Sequence, residues 1–456
     1  MKYFKQISVL LILFLVSCSD DFIELAPISE RNADSFYQNP ADFESAVIAV
    51  YNNLQSNNQY GSSDTRFGGG FYALMEVRAD DAADGEAASG GGKDVFEIDT
   101  YIDNPLSSVI EGSWSSIFKT IFEANVVITR IENITIDEGL KNKYLAEARF
   151  LRALSYFNAV RLWGDIPVIL KEISPQEAKG LTRNSIAEVY KVIEDDFKFA
   201  AQNLPATVPG SEGRATSNAA KAFLGKVYLT EQKWSDAATI LQEVVGEYQL
   251  LPNVEDVFDV ENELNNEIIF SVRFKGGSLD EGHLGFGTPE YNNLLTKYDL
   301  TDTRLPLLNV VSNSSGSYPA KQFENADGEL GRDFIVLRYP DVLLMLSEAL
   351  NEVGYQANGN AFTYLNQIRN RAGVTLFTSL GLTNQTEFRK AVLEERRLEL
   401  PLELHRWFDL LRTNNAIQAL AVYGKTVQQF QLLYPIPQNE INVYNNPTQF
   451  PQNTGY

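Results

Sequence analysis

Glu395, Glu399 and Glu403 recur at intervals of four residues. On one helix that spacing stacks three carboxylates on a single face, where like charges repel. Closely placed carboxylates are also the equipment of acid–base hydrolysis. The competing chemistry lies in a stripe of arginines, Arg149, Arg152 and Arg161, within the otherwise apolar stretch 141–163, with Arg338 further along. A buried charge without a partner costs several kcal/mol, so these cations need anions. Inter-helix ion pairs, bidentate where geometry allows, satisfy both groups at once. On this reading the glutamate row locks helix register and performs no catalysis.

Other constellations fall short of a reactive centre. There are two histidines, His283 and His405, with no second His or Cys at metal-ligand spacing beside either. No Gly-x-Ser-x-Gly elbow occurs. Asp80, Asp81, Asp84 and Glu86 could draw a hard cation, but their spacing is not that of a calcium loop, and a solvated acidic loop is the simpler expectation. Gly90-Gly91-Gly92-Lys93 invites a phosphate-loop reading, which fails because Asp94 stands where Ser or Thr is needed and Ala87 where the first glycine belongs. No metal or cofactor is expected.

Cys18 is the only cysteine. It follows Lys2 and Lys5, an apolar run from Ile7 to Val16, and Ser17. A basic start, a short apolar core and a small residue before the cut make a secretory signal peptide. The run is shorter than the roughly 20 residues of a permanent membrane span. Leu15-Val16-Ser17-Cys18 resembles a bacterial lipobox, which implies cleavage after residue 17 and a lipid on the Cys18 sulfur. That accounts for an unpaired cysteine in a secreted chain. Ser19, Asp20 and Asp21 resemble the acidic signal that sends some lipoproteins to the outer face of the outer membrane. The formal charge of −22 disfavours nucleic acid, because phosphate neutralisation needs clustered Lys and Arg.

The elements that must position these residues are mostly helical. Residues 18–40 read as a tether, and a single domain is expected over 41–456. Apolar residues recur at helical spacing from Asp42 to Leu54, Trp114 to Ile131 and Lys141 to Trp163. Further helices are expected at about 184–203, 217–231, 234–246, 337–353, 358–373 and 384–413, with Pro401 kinking or breaking the last. Ala222 to Tyr228 followed by Trp234 and Ala237, and again Arg338 to Arg371, follow the tetratricopeptide pattern of small and aromatic positions. Ile268 to Val272 reads as a strand. Two stretches, about 56–105 and 275–332, are rich in Gly, Ser and Asn and read as long loops, which in compact domains are commonly functional. The expected fold is mainly α, with tetratricopeptide-like helix pairs as scaffold, long irregular loops and minor β.

Several blocks together resemble the SusD/RagB family. They are Ala146 to Ala153 running on to Trp163-Gly164-Asp165-Ile166-Pro167, Leu337 to Leu344 with Ser347-Glu348-Ala349, Leu365 to Arg369 with Arg371-Ala372-Gly373, Glu395 to Leu410, and the C-terminal Tyr434 to Gln438 with Gln452 to Tyr456. Leu404, where the family tends to have glycine, and Thr454, where proline is usual, depart from the pattern. The resemblance implies a non-catalytic surface lipoprotein of the outer membrane. It would bind a glycan, or in a second branch a peptide, and sit as a lid on a TonB-dependent, SusC-like barrel that imports it. A helical-repeat scaffold without small ligand is the remaining alternative, which the large loop insertions disfavour.

Sugar binders place flat aromatic rings against the apolar faces of the sugar and polar groups against the hydroxyls. Trp114, Trp163, Trp234 and Trp407 fall in helical blocks and are better read as core. The ligand candidates are therefore loop residues: Phe67, Phe71 and Tyr72 from the first loop group, and Tyr291, Tyr298, Tyr318 and Asn292 from the second.

Overall fold

Asn39 and Pro40 begin the first helix for separable reasons. The Asn39 side chain accepts from the N–H groups of Ala41 and Asp42, while Pro40 has its φ preset and lacks an N–H that would be unpaired there anyway. This computed structural model describes residues 36–61, 69–83, 92–207, 213–275, 293–309 and 331–456, with residues 290–291, 311–313 and 316–318 described through their backbone.

The principal helices are α1 (Pro40–Leu54), α2 (Lys93–Asp99), α3 (Ser108–Ile131), α4 (Glu138–Trp163), α5 (Ile186–Asn203), α6 (Ser217–Thr230), α7 (Trp234–Gln242), α8 (Tyr339–Val353), α9 (Asn360–Arg371), α10 (Gln385–Glu399) and α11 (Arg406–Arg412). They stack as a series of neighbours: α3 on α4, α4 on α5, α5 on α6, α6 on α7, α7 on α8, and α8 on both α9 and α10. This is the one-dimensional logic of helical repeats. Gly225 shows why the tetratricopeptide pattern keeps a glycine within α6: a Cβ there would lie 2.4 Å from Leu241 Cδ2 of α7. The long α4 ends at Gly164, whose φ of +74° suits glycine. One buried apolar cluster runs from Phe43 to Phe450 and includes Trp114, Trp163 and Trp407, while Trp234 packs partly buried against it. None of the described helices is long and apolar enough to cross a membrane.

Among the described residues the strands are short and paired in twos. They are β1 (Ala82–Ala83), β2 (Ile268–Val272), β3 (Glu290–Tyr291), β4 (Val311–Asn313), β5 (Gly316–Tyr318) and β6 (Phe334–Arg338). All three pairings, β1 with β3, β2 with β6 and β4 with β5, are antiparallel. Leu337 and Arg338, expected in a helix, instead close β6, and the helix starts one residue later with Pro340 in its first turn.

The arginine stripe on α4 needs partners, as its burial demands, but they are not the glutamate row. Arg152 Nε and Nη2 donate to the two oxygens of Asp196 on α5 at 2.7 and 2.9 Å, and Nη1 donates to Asn125 Oδ1 at 2.7 Å. Arg149 reaches the same carboxylate at 3.9 Å. Arg161 lies between the rings of Phe157 and Phe408, at 3.6 and 3.5 Å from their centroids, and donates to Asn158 Oδ1. The correction follows from topology: α5, not α10, covers this face of α4. Arg152→Ala leaves Asp196 buried with a single distant cation and is expected to destabilise the protein by about 3 kcal/mol. A melting temperature equal to wild type would contradict the assignment.

Candidate ligand-binding face and its ion-paired support

The two loop groups of the sequence meet through backbone. Ala82 pairs with Tyr291 and Ala83 with Glu290, so the first group is joined to the second at β1–β3. A β4–β5 hairpin, with Val311 opposite Tyr318, lies further along the second group. What holds these segments in place is α10 and the turn after it.

That turn begins where Pro401 requires it to. Helix α10 stops at Glu399, and Leu402 and Leu404 both adopt left-handed conformations with φ of 61° and 63°. A leucine in that region costs roughly 1–2 kcal/mol, which explains why glycine suits the position of Leu404. The Leu404 N–H donates to the buried Glu76 at 3.2 Å, tying the turn to the π-helical turn Tyr72–Val77.

Glu403 therefore lies beyond the helix rather than in a continuous row with Glu395 and Glu399, yet it returns to the same network. Arg338 donates to both Glu403 oxygens at 2.8 Å, to Glu399 Oε1 at 2.6 Å and to Glu267 Oε1 at 3.1 Å. The β2–β6 register, with Ile268 opposite Arg338, is what brings Glu267 alongside. Arg371 bridges Glu267 and Glu399, and Arg369 pairs with Glu395. Burial alone would raise the Glu399 carboxyl, but Arg371, Arg338 and Arg304 outweigh it and bring it down to about 2.

Helix α10 and the first residue of α11 clamp both loop groups. Arg397 donates to Asp81 at 2.6 Å, and Arg406 grips Asp80 through two bonds of 2.6 and 2.8 Å, immediately before β1. On the other side, Arg304 pairs with Asp302, with Glu395 at 2.7 Å and with Glu399 at 3.1 Å. Tyr298 donates to the Leu398 carbonyl at 2.8 Å. Asp80 and Asp81 are thus buried ion-pair partners and not a solvated acidic loop, while Asp84 and Glu86 lie outside the described residues. Among the described residues no group of three or more His, Cys, Asp or Glu could hold a metal ion. His405 is buried framework, accepting from Lys226 Nζ at Nδ1 across 3.0 Å, and His283 lies outside the described residues.

The ligand candidates separate into three groups. Phe71, Tyr72 and Tyr298 are 0, 4 and 6% exposed, which leaves almost no ring face for a ligand. Phe71 packs edge-on against Tyr60, and Tyr298 spends its hydroxyl on α10. These three anchor loops to the scaffold, a correction with a simple cause: an apolar ring next to a helix is drawn into the core. Tyr291 lies on β3, where the loop groups join, and Tyr318 lies on β5 of the separate β4–β5 hairpin. Cys18, Phe67 and Asn292 lie outside the described residues.

Sequence reasoning missed a polar groove elsewhere. A cavity of about 370 Å³ is lined from residues 206–207, 213–216, 247–249 and 264–271, and a second of about 170 Å³ runs beside α1. The two share Gly213, Arg214, Phe270 and Ser271. The available signal was the run Pro205 to Thr216, whose Pro, Gly, Ser and Thr content marks an elaborated connection between two helices.

Comparison with known proteins fixes the relationship. The model of the SusD family matches residues 309–456, and a second model, described as starch-binding associating with outer membrane, matches residues 21–229. The chain belongs to the SusD/RagB family. Over its whole length it is 27% identical to SusD-like protein P2 of Formosa agariphila, all of which is covered. Its fold matches a laminarin-binding SusD-like protein with a TM-score of 0.77 at 25% identity, covering 92% of this chain and 100% of that one. It also matches surface glycan-binding protein A from Bacteroides thetaiotaomicron in complex with laminarihexaose, with a TM-score of 0.75 at 19% identity, covering 91% of this chain and 99% of that one. The family's fold and the mainly helical SusD-like architecture expected from the sequence agree.

Proposed function

We propose that this chain is a non-catalytic outer-membrane lipoprotein that binds an oligosaccharide and hands it to a TonB-dependent, SusC-like barrel. The observation that carries the reading is the β1–β3 pairing, which joins both loop groups above one ion-paired helix. Fixing two loop groups to each other lowers the ordering cost of binding an extended polymer. The names of two structurally similar proteins, one binding laminarin and one in complex with laminarihexaose, point to a glycan. Tyr291 and Tyr318 are the proposed ring contacts, and Phe67 and Asn292, outside the described residues, are further proposed ligand contacts. The carboxylates that could serve as acid and base, Glu395, Glu399 and Glu403, are committed to arginines, which supports binding without catalysis.

Anchoring follows from Cys18. Acyl chains contribute about 0.8 kcal/mol per buried methylene, so a multiply acylated cysteine holds the protein on the membrane. The segment after Cys18 would then link that anchor to the helical body, against whose core Phe36 and Tyr37 already pack.

The test is calorimetric titration of soluble protein lacking Cys18 and the tether against neutral oligosaccharides, among them laminari- and malto-oligosaccharides, and against a mixed peptide pool. Saturable binding of an oligosaccharide with no response to peptides is expected. Binding of peptides alone would replace the glycan reading with the peptide-binding one, and silence toward both would favour a scaffold without small ligand.

A further inference from the structure

The groove made by the two adjoining cavities has the chemistry of a carbohydrate site, and none of its lining residues belongs to β1 or β3. The larger cavity, about 370 Å³, falls within the range of small-ligand sites. Its lining is polar but nearly neutral. Arg214, the cation at the junction, is neutralised by Glu44 and Glu147. Around it stand hydroxyls and amides with unused capacity. Ser271 is 2% exposed, and its Oγ has no hydrogen-bond partner among the described residues although it lies at the junction of both cavities. A buried hydroxyl left unpaired costs about 1–3 kcal/mol, a cost that an incoming hydroxyl can relieve. Gln249 and Asn266 are exposed, and their side-chain amides make no bond within the described residues. Tyr248 supplies a partly buried aromatic body in the larger cavity, and Tyr51 does so in the smaller.

Such a lining discriminates among ligands. A phosphate or carboxylate would meet Arg214 already paired with two carboxylates, the nearby Glu247, and in the smaller cavity Arg273 already paired with Asp333. A purely apolar ligand would leave Ser271 unpaired. A neutral sugar offers what the groove lacks: hydroxyls that both donate and accept, and an apolar ring face for tyrosine.

We infer that the groove lined by Tyr248, Gln249, Asn266, Ser271 and Arg214 is a second carbohydrate subsite, which takes a further stretch of the same neutral glycan. This rests on the glycan-binding reading above. Two subsites on one chain make the second contact with a long polymer intramolecular, so a polysaccharide binds more tightly than a short fragment without any new contact.

The test uses the full lipidated chain in a detergent without a sugar headgroup. Laminaritriose and maltotriose are titrated by calorimetry and soaked into crystals, and the corresponding polysaccharides are titrated in parallel. Wild type is expected to take up two trisaccharides, one in the groove and one at the β1–β3 face. Q249A/N266A changes only exposed amides and is expected to retain the melting temperature, lose the groove molecule and bind polysaccharide at least tenfold more weakly. S271A, which removes the buried hydroxyl, should weaken the groove site in the same direction. Sugar at the β1–β3 face alone, with Q249A/N266A titrating like wild type, would overturn the subsite while leaving the proposed function intact. Sugar in the groove alone would uphold the subsite and overturn the loop-face assignment. No binding of any of these glycans would overturn both.

Discussion

Arg338→Met is expected to lower the free energy of unfolding by about 3–5 kcal/mol, because it strands buried carboxylates that the arginine now satisfies. Arg338 is fully buried, and Glu267, Glu399 and Glu403 around it are 0, 2 and 4% exposed. Methionine fills much of the volume, so the loss reports charge pairing more than a cavity. Arg371 and Arg304 remain near Glu399 and Glu267, but Glu403 keeps no other cation within ion-pair distance among the described residues. Adding Glu403→Gln to Arg338→Met should therefore recover part of the stability, as coupled neighbours do. The urea midpoint of the soluble protein measures both. A midpoint unchanged in Arg338→Met would mean that the network contributes nothing net, as some buried pairs do.

The second large effect is pH-dependent and centres on Glu76. Burial, then the negative charge of Asp81, raises this carboxyl from 4.5 to about 8, with the Leu404 N–H pulling weakly the other way. The sign follows directly. Between those values the folded protein keeps a proton that the unfolded chain has released, so folding is favoured at low pH and disfavoured as pH rises. The contribution is fully present below about pH 4.5 and is lost as pH climbs through about 8. A carboxyl displaced that far loses on the order of 4 kcal/mol of stability across the window. Asp333, raised to about 7 by burial and Glu263, adds a smaller change of the same sign. Glu76→Gln fixes the neutral form, so its melting temperature should decline less than wild type between about pH 6 and 9. Parallel curves for the two proteins would show that Glu76 is not the titrating group.

How much of this was legible in the sequence depends on whether the cause was local. Pro401 ending α10, Gly225 at a close helix contact and three of the four tryptophans as core follow from local chemistry, and the structure agrees, with Trp234 only partly buried. The arginine stripe showed that partners must exist but not which ones, since Asp196 meets Arg152 only after α5 packs on α4. The same limit applied to Asp80 and Asp81, more than 300 residues before the arginines that bind them. Phe71, Tyr72 and Tyr298 had the right type for a binding platform, but burial was decided by a π-helical turn and by α10, which no periodicity signals. The polar groove escaped because its lining comes from four separate segments, none distinctive alone.

Whether the loop groups joined at β1–β3, together with the β4–β5 hairpin, form the ligand face is tested most directly by calorimetric titration of the Tyr291→Ala/Tyr318→Ala double variant with the oligosaccharide that wild type binds best. Losing two ring contacts should weaken binding at this face by about 2 kcal/mol, roughly thirtyfold, with the melting temperature close to that of wild type. Unchanged affinity in a folded variant would contradict the assignment and move the ligand away from this face.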